Sequence, residues 1–415
     1  MEEMKPESIV AVEGDANQCG ISKLPQDLKE LIFSKLPLES ICSSRIICKE
    51  WNSILSSDNF LSSLPIQYPW LLICNEEKDK NWRCMTYCFS TQKWRNLSLS
   101  FLPKPKGGNT RFLRRVGLGL LQFQEMSISQ LFVCNPVMRS YAKIEIDATR
   151  KFMHIVQRGK KEPYLVVCSN FENFSFQIYH YFQDSWNIKF QFVGETQYSH
   201  IYCNEMVVCN DTIFWREPWE HRVIVGFKIQ DEGFISPVTV APLPSEMVED
   251  QDLLLLSMVS YGSSVLFVFV MLNHRRLDML NHRRLDIIHP SSVHKICELG
   301  RTKDGIVIWE LFQDEQNELV WKWKEFLRMP RLSLHEYLDK DWWSGECVCV
   351  GDYLCFSSLY GGESVKVFAY NLKEGFWQRL PPCKMENRNW RMASFEPKPY
   401  LYQFLRKSRE RAWMT

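Results

Sequence analysis

Leu24-Pro25-Gln26-Asp27-Leu28 opens, and Cys48-Lys49-Glu50-Trp51-Asn52 closes, a segment whose apolar residues fall at helical spacing. Leu28, Leu31 and Ile32 sit at i, i+3 and i+4 and make one stripe. Leu38, Ile41 and Cys42 make a second, and Ile47, Trp51, Ile54 and Leu55 a third. Pro25 suits the first turn of a helix, and Pro37 ends one helix and starts the next. Residues 22–55 therefore read as three short helices with too little chain to bury all three stripes. Apolar surface left over on so small a unit asks for an outside cover, which makes the unit a docking module.

The order Leu24-Pro25, Leu31-Ile32, Leu36-Pro37, Ile41, Arg45, Ile47-Cys48-Lys49, Trp51 and Ile54 resembles the F-box pattern at that family's spacing. The resemblance covers about a tenth of the chain. It implies docking onto the Skp-type adaptor of a cullin–RING ubiquitin ligase. It also implies that Leu24, Pro25, Leu28, Ile32, Leu36, Pro37 and Ile41 face the adaptor while Trp51 packs the interior. A three-helix cap packed only on its own C-terminal domain is the competing reading of the same residues.

The 415 residues are enough for two or more domains. A net charge of +1 gives no global electrostatic reason to expect nucleic acid or an acidic membrane as partner. The cysteines number 15, an odd count at irregular spacings, and residues 1–20 are an acid-leaning tail rather than a leader with a basic start and an apolar core. Reduced thiols in the nucleus or cytoplasm are the expectation. Residues 253–272 carry no charge over 20 positions, long enough to span a bilayer. Their centre, Ser257-Met258-Val259-Ser260-Tyr261-Gly262-Ser263-Ser264, is polar, and Val265-Leu266-Phe267-Val268-Phe269-Val270 is β-branched and aromatic. Two strands joined by a turn are predicted there.

The module is taken to run over 21–64, and from Pro65 the texture changes to short apolar and aromatic runs separated by Gly, Asn, Asp and Pro. Such runs predict an all-β domain. An aromatic followed by an apolar–Pro step recurs: Trp94 before Leu102-Pro103, Trp323 before Met329-Pro330, Trp377 before Leu380-Pro381, and more weakly Phe234 before Ala241-Pro242. Tyr141 and Trp186 keep the beat without the proline, and the steps from 94 to 141, 186 and 234 are 47, 45 and 48 residues. A second element, Asn210-Asp211-Thr212-Ile213-Phe214-Trp215, returns as Gly351-Asp352-Tyr353-Leu354-Cys355-Phe356, three steps of 47 later. This period is that of propeller blades.

The stretch from Val133-Cys134-Asn135-Pro136 to Arg139-Ser140-Tyr141, and that from Ile308-Trp309-Glu310-Leu311 to Met329-Pro330, resemble steps of the kelch-like propellers of plant F-box proteins. Only Gly107-Gly108 and Gly361-Gly362 match that family's glycine doublets. The resemblance implies a small all-α F-box followed by an all-β propeller over 70–395, of six blades or alternatively seven, with a basic tail over 396–415. Trp94, Trp186, Trp323 and Trp377 are read as packing between blades.

No nucleotide-binding glycine pattern, zinc-protease helix or nucleophile elbow stands in the sequence. Cys84-x3-Cys88 and Cys347-x-Cys349 lack a second pair at ligand spacing and read as buried thiols. Catalytic, cofactor and metal residues are accordingly not assigned. Residues 271–278, Met-Leu-Asn-His-Arg-Arg-Leu-Asp, are repeated unchanged as 279–286, a tandem duplication suited to a surface connection. Its Arg275, Arg276, Arg283 and Arg284, together with Trp219 in another polar connection, are the candidate contacts for an acidic or phosphorylated target. The expected function is the substrate-recognition subunit of a Skp–cullin–F-box ubiquitin ligase. A scaffold that binds the adaptor without ubiquitin transfer, or an adaptor-tethered propeller enzyme, would be the alternatives.

Overall fold

The computed structural model describes residues 24–64, 68–76, 82–104, 111–117, 119–125, 130–145, 150–156, 164–169, 174–180, 185–192, 206–216, 224–229, 235–242, 244, 253–271, 306–329, 347–357, 364–385 and 390–397. The chain divides into two compact units, 1–66 and 67–415.

The first unit holds four helices: α1 (Gln26–Ser34), α2 (Leu38–Ser44), α3 (Lys49–Leu55) and α4 (Asp58–Ser63). Pro25 and Pro37 each stand one residue before a helix with extended backbone, ψ 152° and 145°. Their carbonyls accept the first helical hydrogen bonds, from Lys29 at 3.1 Å and Ile41 at 3.0 Å. Proline suits this place because it brings an acceptor and lacks the donor that a helix start would orphan. The N-terminus of α3 is capped by the Cys48 thiol, which accepts from the Trp51 N–H at 3.4 Å, and that of α4 by Ser57, which accepts from Phe60 at 3.3 Å. Phe33, Leu38, Ile41, Ile54, Leu55, Phe60 and Leu61 are buried, and Trp51 lies edge-on to Phe33 with ring centroids 4.8 Å apart.

The second unit is mostly β-sheet, its strands ordered as antiparallel four-strand sets. Strands β1 (Trp70–Glu76), β2 (Trp82–Cys88) and β3 (Lys93–Leu97) begin the first set. The second set holds β4 (Arg111–Gly117), β5 (Leu120–Glu125), β6 (Gln130–Asn135) and β7 (Ser140–Glu145). The third holds β8 (Arg150–Val156), β9 (Tyr164–Ser169), β10 (Phe174–His180) and β11 (Ser185–Phe192). The fourth holds β12 (Met206–Cys209), β13 (Thr212–Arg216), β14 (Ile224–Ile229) and β15 (Ile235–Val240). The fifth holds β16 (Leu253–Tyr261), β17 (Ser264–Met271), β18 (Ile306–Asp314) and β19 (Asn317–Met329). The sixth holds β20 (Cys347–Val350), β21 (Tyr353–Ser357), β22 (Val367–Asn371) and β23 (Phe376–Arg379), and β24 (Trp390–Phe395) returns to pair with β1. Residues 253–271 are thus two strands around a Gly262-Ser263 turn, as expected, and among the described residues no helix is long and apolar enough to cross a membrane.

The fourth and fifth sets join into one eight-stranded sheet through a parallel pairing of Thr239 with Val320 and Val240 with Trp321. First strands of neighbouring sets pack on each other: β24 on β4, β4 on β8, β12 on β16, β16 on β20, and β20 on β24. The core lies in layers between these sheets. One layer packs Phe214, Phe267, Trp309 and Trp321 between the fourth and fifth sets. Gly226 is required within the fourth set, because a Cβ there would stand 2.4 Å from Val238 Cγ2 and 3.0 Å from the Phe214 ring.

The two sequence rhythms have separate structural origins. Trp94, Tyr141, Trp186 and Trp377 each stand one residue into the fourth strand of their set, opposite Tyr87, Cys134, Tyr179 and Tyr370 of the third strand. The Tyr87–Trp94 and Tyr370–Trp377 ring centroids are both 5.1 Å apart. The proline step explains itself across sets. Trp94 donates its indole N–H to the Pro381 carbonyl beyond β23 at 2.6 Å, and Trp323 donates to the Ala241 carbonyl beyond β15 at 2.9 Å. A proline near the end of one outer strand ends the ladder and leaves a free carbonyl for the next set's tryptophan.

The other rhythm is the tight turn between first and second strands. Asn210 and Asp211 have φ of 46° and 57°, and Gly351 has 59°, values needed in a two-residue hairpin. Asp211 and Asp352 both accept through their carbonyls from the end of the third strand, at Ile229 and Leu372, each at 2.8 Å.

Candidate functional site

The α1 stripe read from the sequence is the exposed one. Leu28, Leu31 and Ile32 are 43%, 55% and 39% exposed, while the face of α1 that turns inward carries Phe33 and the aliphatic stem of Lys29. Lys29 is held from α3 by an ion pair with Glu50. The burial of Phe33 and this pair belong to the same rotation of α1, which leaves the three apolar side chains outward. Ile46 and Ile47, in the turn before α3, are 82% and 63% exposed. Arg45 braces that turn by donating to Asn52 at 3.2 Å and Ser56 at 3.0 Å. The described residues of this small unit therefore show five large aliphatic side chains to solvent, well beyond scattered surface apolars.

Of the residues expected to face an adaptor, Pro25, Leu28, Ile32 and Pro37 are exposed and Leu24 and Leu36 are half-buried. Ile41 is a correction: it is 1% exposed and packs inward beside Leu38, because the seven-residue α2 has one inward face and Ile41 sits three residues on from Leu38 along it. Ile47 is a second correction, since it precedes α3 instead of continuing that helix's buried stripe. The exposed Ile46 carried no helical-spacing signal, and α4 lay past the last recognised motif residue.

In the β-rich unit, Trp219, Arg275, Arg276, Arg283 and Arg284 lie outside the described residues, as does the duplicated octapeptide. The strands that flank them are described. The connections 217–223, 272–305 and 358–363 each join a second strand to a third. In an antiparallel meander such connections leave at the end opposite the tight first-to-second turns. At the tight-turn end neighbouring sets meet, since Asn210 donates to the Ser263 carbonyl at 2.9 Å and Pro69 lies against Gly351; within the sixth set Lys373 pairs with Asp352 at 2.9 Å. The hydrogen bond to Asp352 raises the Lys373 amine above its ordinary value.

Burial pushes the thiols of Cys209, Cys349 and Cys383 up to about 12, and raises Cys347 and Cys355 well above the usual thiol value. Such thiols are neutral packing groups at physiological pH. Burial also raises Cys88, but hydrogen bonds from Ser90 and Thr91 outweigh it and hold that thiol lower than usual. Among the described residues no three His, Cys, Asp or Glu side chains converge as a metal cluster would.

Residues 21–63 match the F-box domain. The chain therefore carries an F-box, and the exposed aliphatic surface lies within it. It is 27% identical over 136 residues to F-box only protein 6 of Arabidopsis thaliana, covering 32% of this chain and 28% of that protein. It is 28% identical over 125 residues to an Arabidopsis F-box/kelch-repeat protein, covering 29% of each, and 50% identical over 40 residues to another Arabidopsis F-box protein, 10% of each. The matched segments span less than a third of these relatives. These matches are to F-box and F-box/kelch-repeat proteins of a plant, and they support an F-box protein with a kelch-like region. Among solved structures, a nidogen/laminin complex aligns over 80% of this chain and 99% of its own at 9% identity, with a TM-score of 0.40.

Proposed function

We propose that this chain is the substrate-recognition subunit of a Skp–cullin–F-box ubiquitin ligase, with its β-rich unit a six-bladed propeller. The observation that carries the adaptor half is the exposed aliphatic surface of Leu28, Leu31 and Ile32 inside the matched F-box. The propeller half is supported by the antiparallel four-strand sets, by the packing of first strands from β24 through β4 to β8 and from β12 through β16 and β20 to β24, and by the return of β24 to β1. Closure between the two ends of a chain joins the last set to the first and leaves only short, protected strand edges. The chain supplies no chemistry. It holds a target near the ubiquitin-conjugating enzyme, and rate comes from local concentration and orientation.

Reconstitution with adaptor, cullin and RING subunit tests this reading. Stable co-purification and ubiquitin transfer onto captured protein are expected. Adaptor binding without cullin recruitment would replace the ligase with a scaffold.

Target contact is assigned to the end of the sheets that bears the second-to-third-strand connections, with Trp219, Arg275, Arg276, Arg283 and Arg284 as the contacts. Guanidinium pairs with phosphate or carboxylate in a fixed two-pronged geometry. Reversing the charge of the four arginines should lengthen the target's half-life in cells by several-fold while adaptor binding is unchanged. An unmoved half-life, together with an unmoved Trp219→Ala variant, would transfer recognition to the tight-turn end.

A further inference from the structure

Cys74 on β1 and Cys84 on β2 are direct partners across the antiparallel ladder. Both are fully buried, and neither is in a disulfide. Opposed residues point to the same face of a sheet, so the two thiols are cross-strand neighbours on one face. Trp82, two residues before Cys84 and so on that same face, meets Phe123 of the second set with ring centroids 5.7 Å apart. The thiol pair therefore belongs to the layer between the first and second sets. Cys74 is also opposite Arg391 of β24, which places it beside the strand that closes the unit.

Directly opposed antiparallel residues have Cα atoms about 4.5–5.5 Å apart, inside the range of about 4.4–6.8 Å that a disulfide bridges. Their Cβ atoms, about 4.5–5.5 Å apart in such pairs, must approach slightly to reach disulfide contact. A bond that pulls the ladder together is strained and easily reduced, which is the character of a reversible site rather than a permanent staple.

We propose that Cys74 and Cys84 are a reversible dithiol–disulfide site whose oxidant is a small hydroperoxide. One thiolate attacks the peroxide, breaks its O–O bond, becomes a sulfenic acid and releases an alcohol or water. The second thiolate attacks that sulfur, forms the S–S bond and expels hydroxide, which takes a proton to leave as water. In sum two thiols and one hydroperoxide give one disulfide, one alcohol and one water; the sulfurs are oxidised and the peroxide reduced. Access is local: Cys74 and Cys84 lie two rungs from the end of the hairpin, past Asn75–Arg83 and Glu76–Trp82, so they are uncovered when these pairs fray together with the Asn75–Trp390 pairing to β24 and the Trp82–Phe123 contact. The bond then locks β1 to β2 beside the closure strand. This site is independent of adaptor docking.

The test treats the folded full-length chain with hydrogen peroxide, alkylates remaining thiols after unfolding, and maps peptides by mass spectrometry. Exposed Cys48 serves as the internal sign that oxidant has acted. The expected result is a Cys74–Cys84 linked peptide as the major product at those positions, lost on dithiothreitol treatment and absent from Cys84→Ser. Two outcomes would overturn the site: Cys74 and Cys84 both still alkylated when Cys48 is oxidised, or the link forming only in chain unfolded beforehand.

Discussion

Trp321→Ala is expected to lower the stability of the β-rich unit by about 3–5 kcal/mol, the range for deleting a large buried aromatic. Trp321 is fully buried, and its ring stands edge-on to Phe214 with centroids 4.6 Å apart. Phe214 is itself confined, because Gly226 leaves no room for it to move toward β14 and β15. Loss of the indole therefore leaves a cavity that its neighbours cannot collapse into. The backbone of Trp321 also accepts from Ala241 at 2.9 Å beside the parallel pairing that joins two sets, so loosening should spread along that seam. Urea unfolding followed at several probes measures it. Trp321→Phe should recover part of the loss, and a change below about 1 kcal/mol for the alanine variant would mean the layer between the fourth and fifth sets is not a packed core.

The second large effect separates surface from core inside the F-box. Replacing Leu28, Leu31 and Ile32 together by serine should leave the midpoint of thermal unfolding almost unchanged, since all three side chains are exposed. Adaptor affinity should fall by at least about 100-fold, because each aliphatic contact contributes about 1–2 kcal/mol when buried at an interface. Ile41→Ala should do the reverse. Its side chain is inside the unit, and its loss costs roughly 2–4 kcal/mol of folding stability before any contact is considered. A triple variant that unfolds, or an Ile41→Ala variant that is stable and binds poorly, would mean the inward and outward faces of α1 and α2 have been exchanged.

What could be read from the sequence follows from which features are local. Pro25 and Pro37 mark helix starts through their own backbone geometry, so the F-box was legible without tertiary contacts. The aromatic beat was legible for the same reason, since Trp94, Tyr141, Trp186 and Trp377 each open a fourth strand one residue in, whereas Trp323 stands in the middle of the longer β19. The tight turn at Gly262-Ser263 escaped the pattern because it carries the positive φ on a glycine, as Gly351 does, but has no aspartate after it. Helical spacing gave the apolar stripes of α1 and α2 but not which would be covered. Phe33 and Lys29, outside the named stripe, turned inward, and Ile41, inside one, did too. Non-local events left no local trace: the return of β24 to β1, the parallel pairing of β15 with β19, and the opposition of Cys74 to Cys84. The candidate target-contact residues sit in connections, where sequence sets composition and not geometry.

The most direct measurement is a calorimetric titration of the full-length chain with a purified Skp-type adaptor, for the unaltered protein and for the Leu28, Leu31 and Ile32 triple serine variant. One-to-one binding at or below about 1 μM by the unaltered chain, and no measurable heat from the folded variant at about 100 μM, is the expected result. Equal affinity for the two proteins, or no binding by either, would contradict the assignment of this surface as the adaptor-docking face.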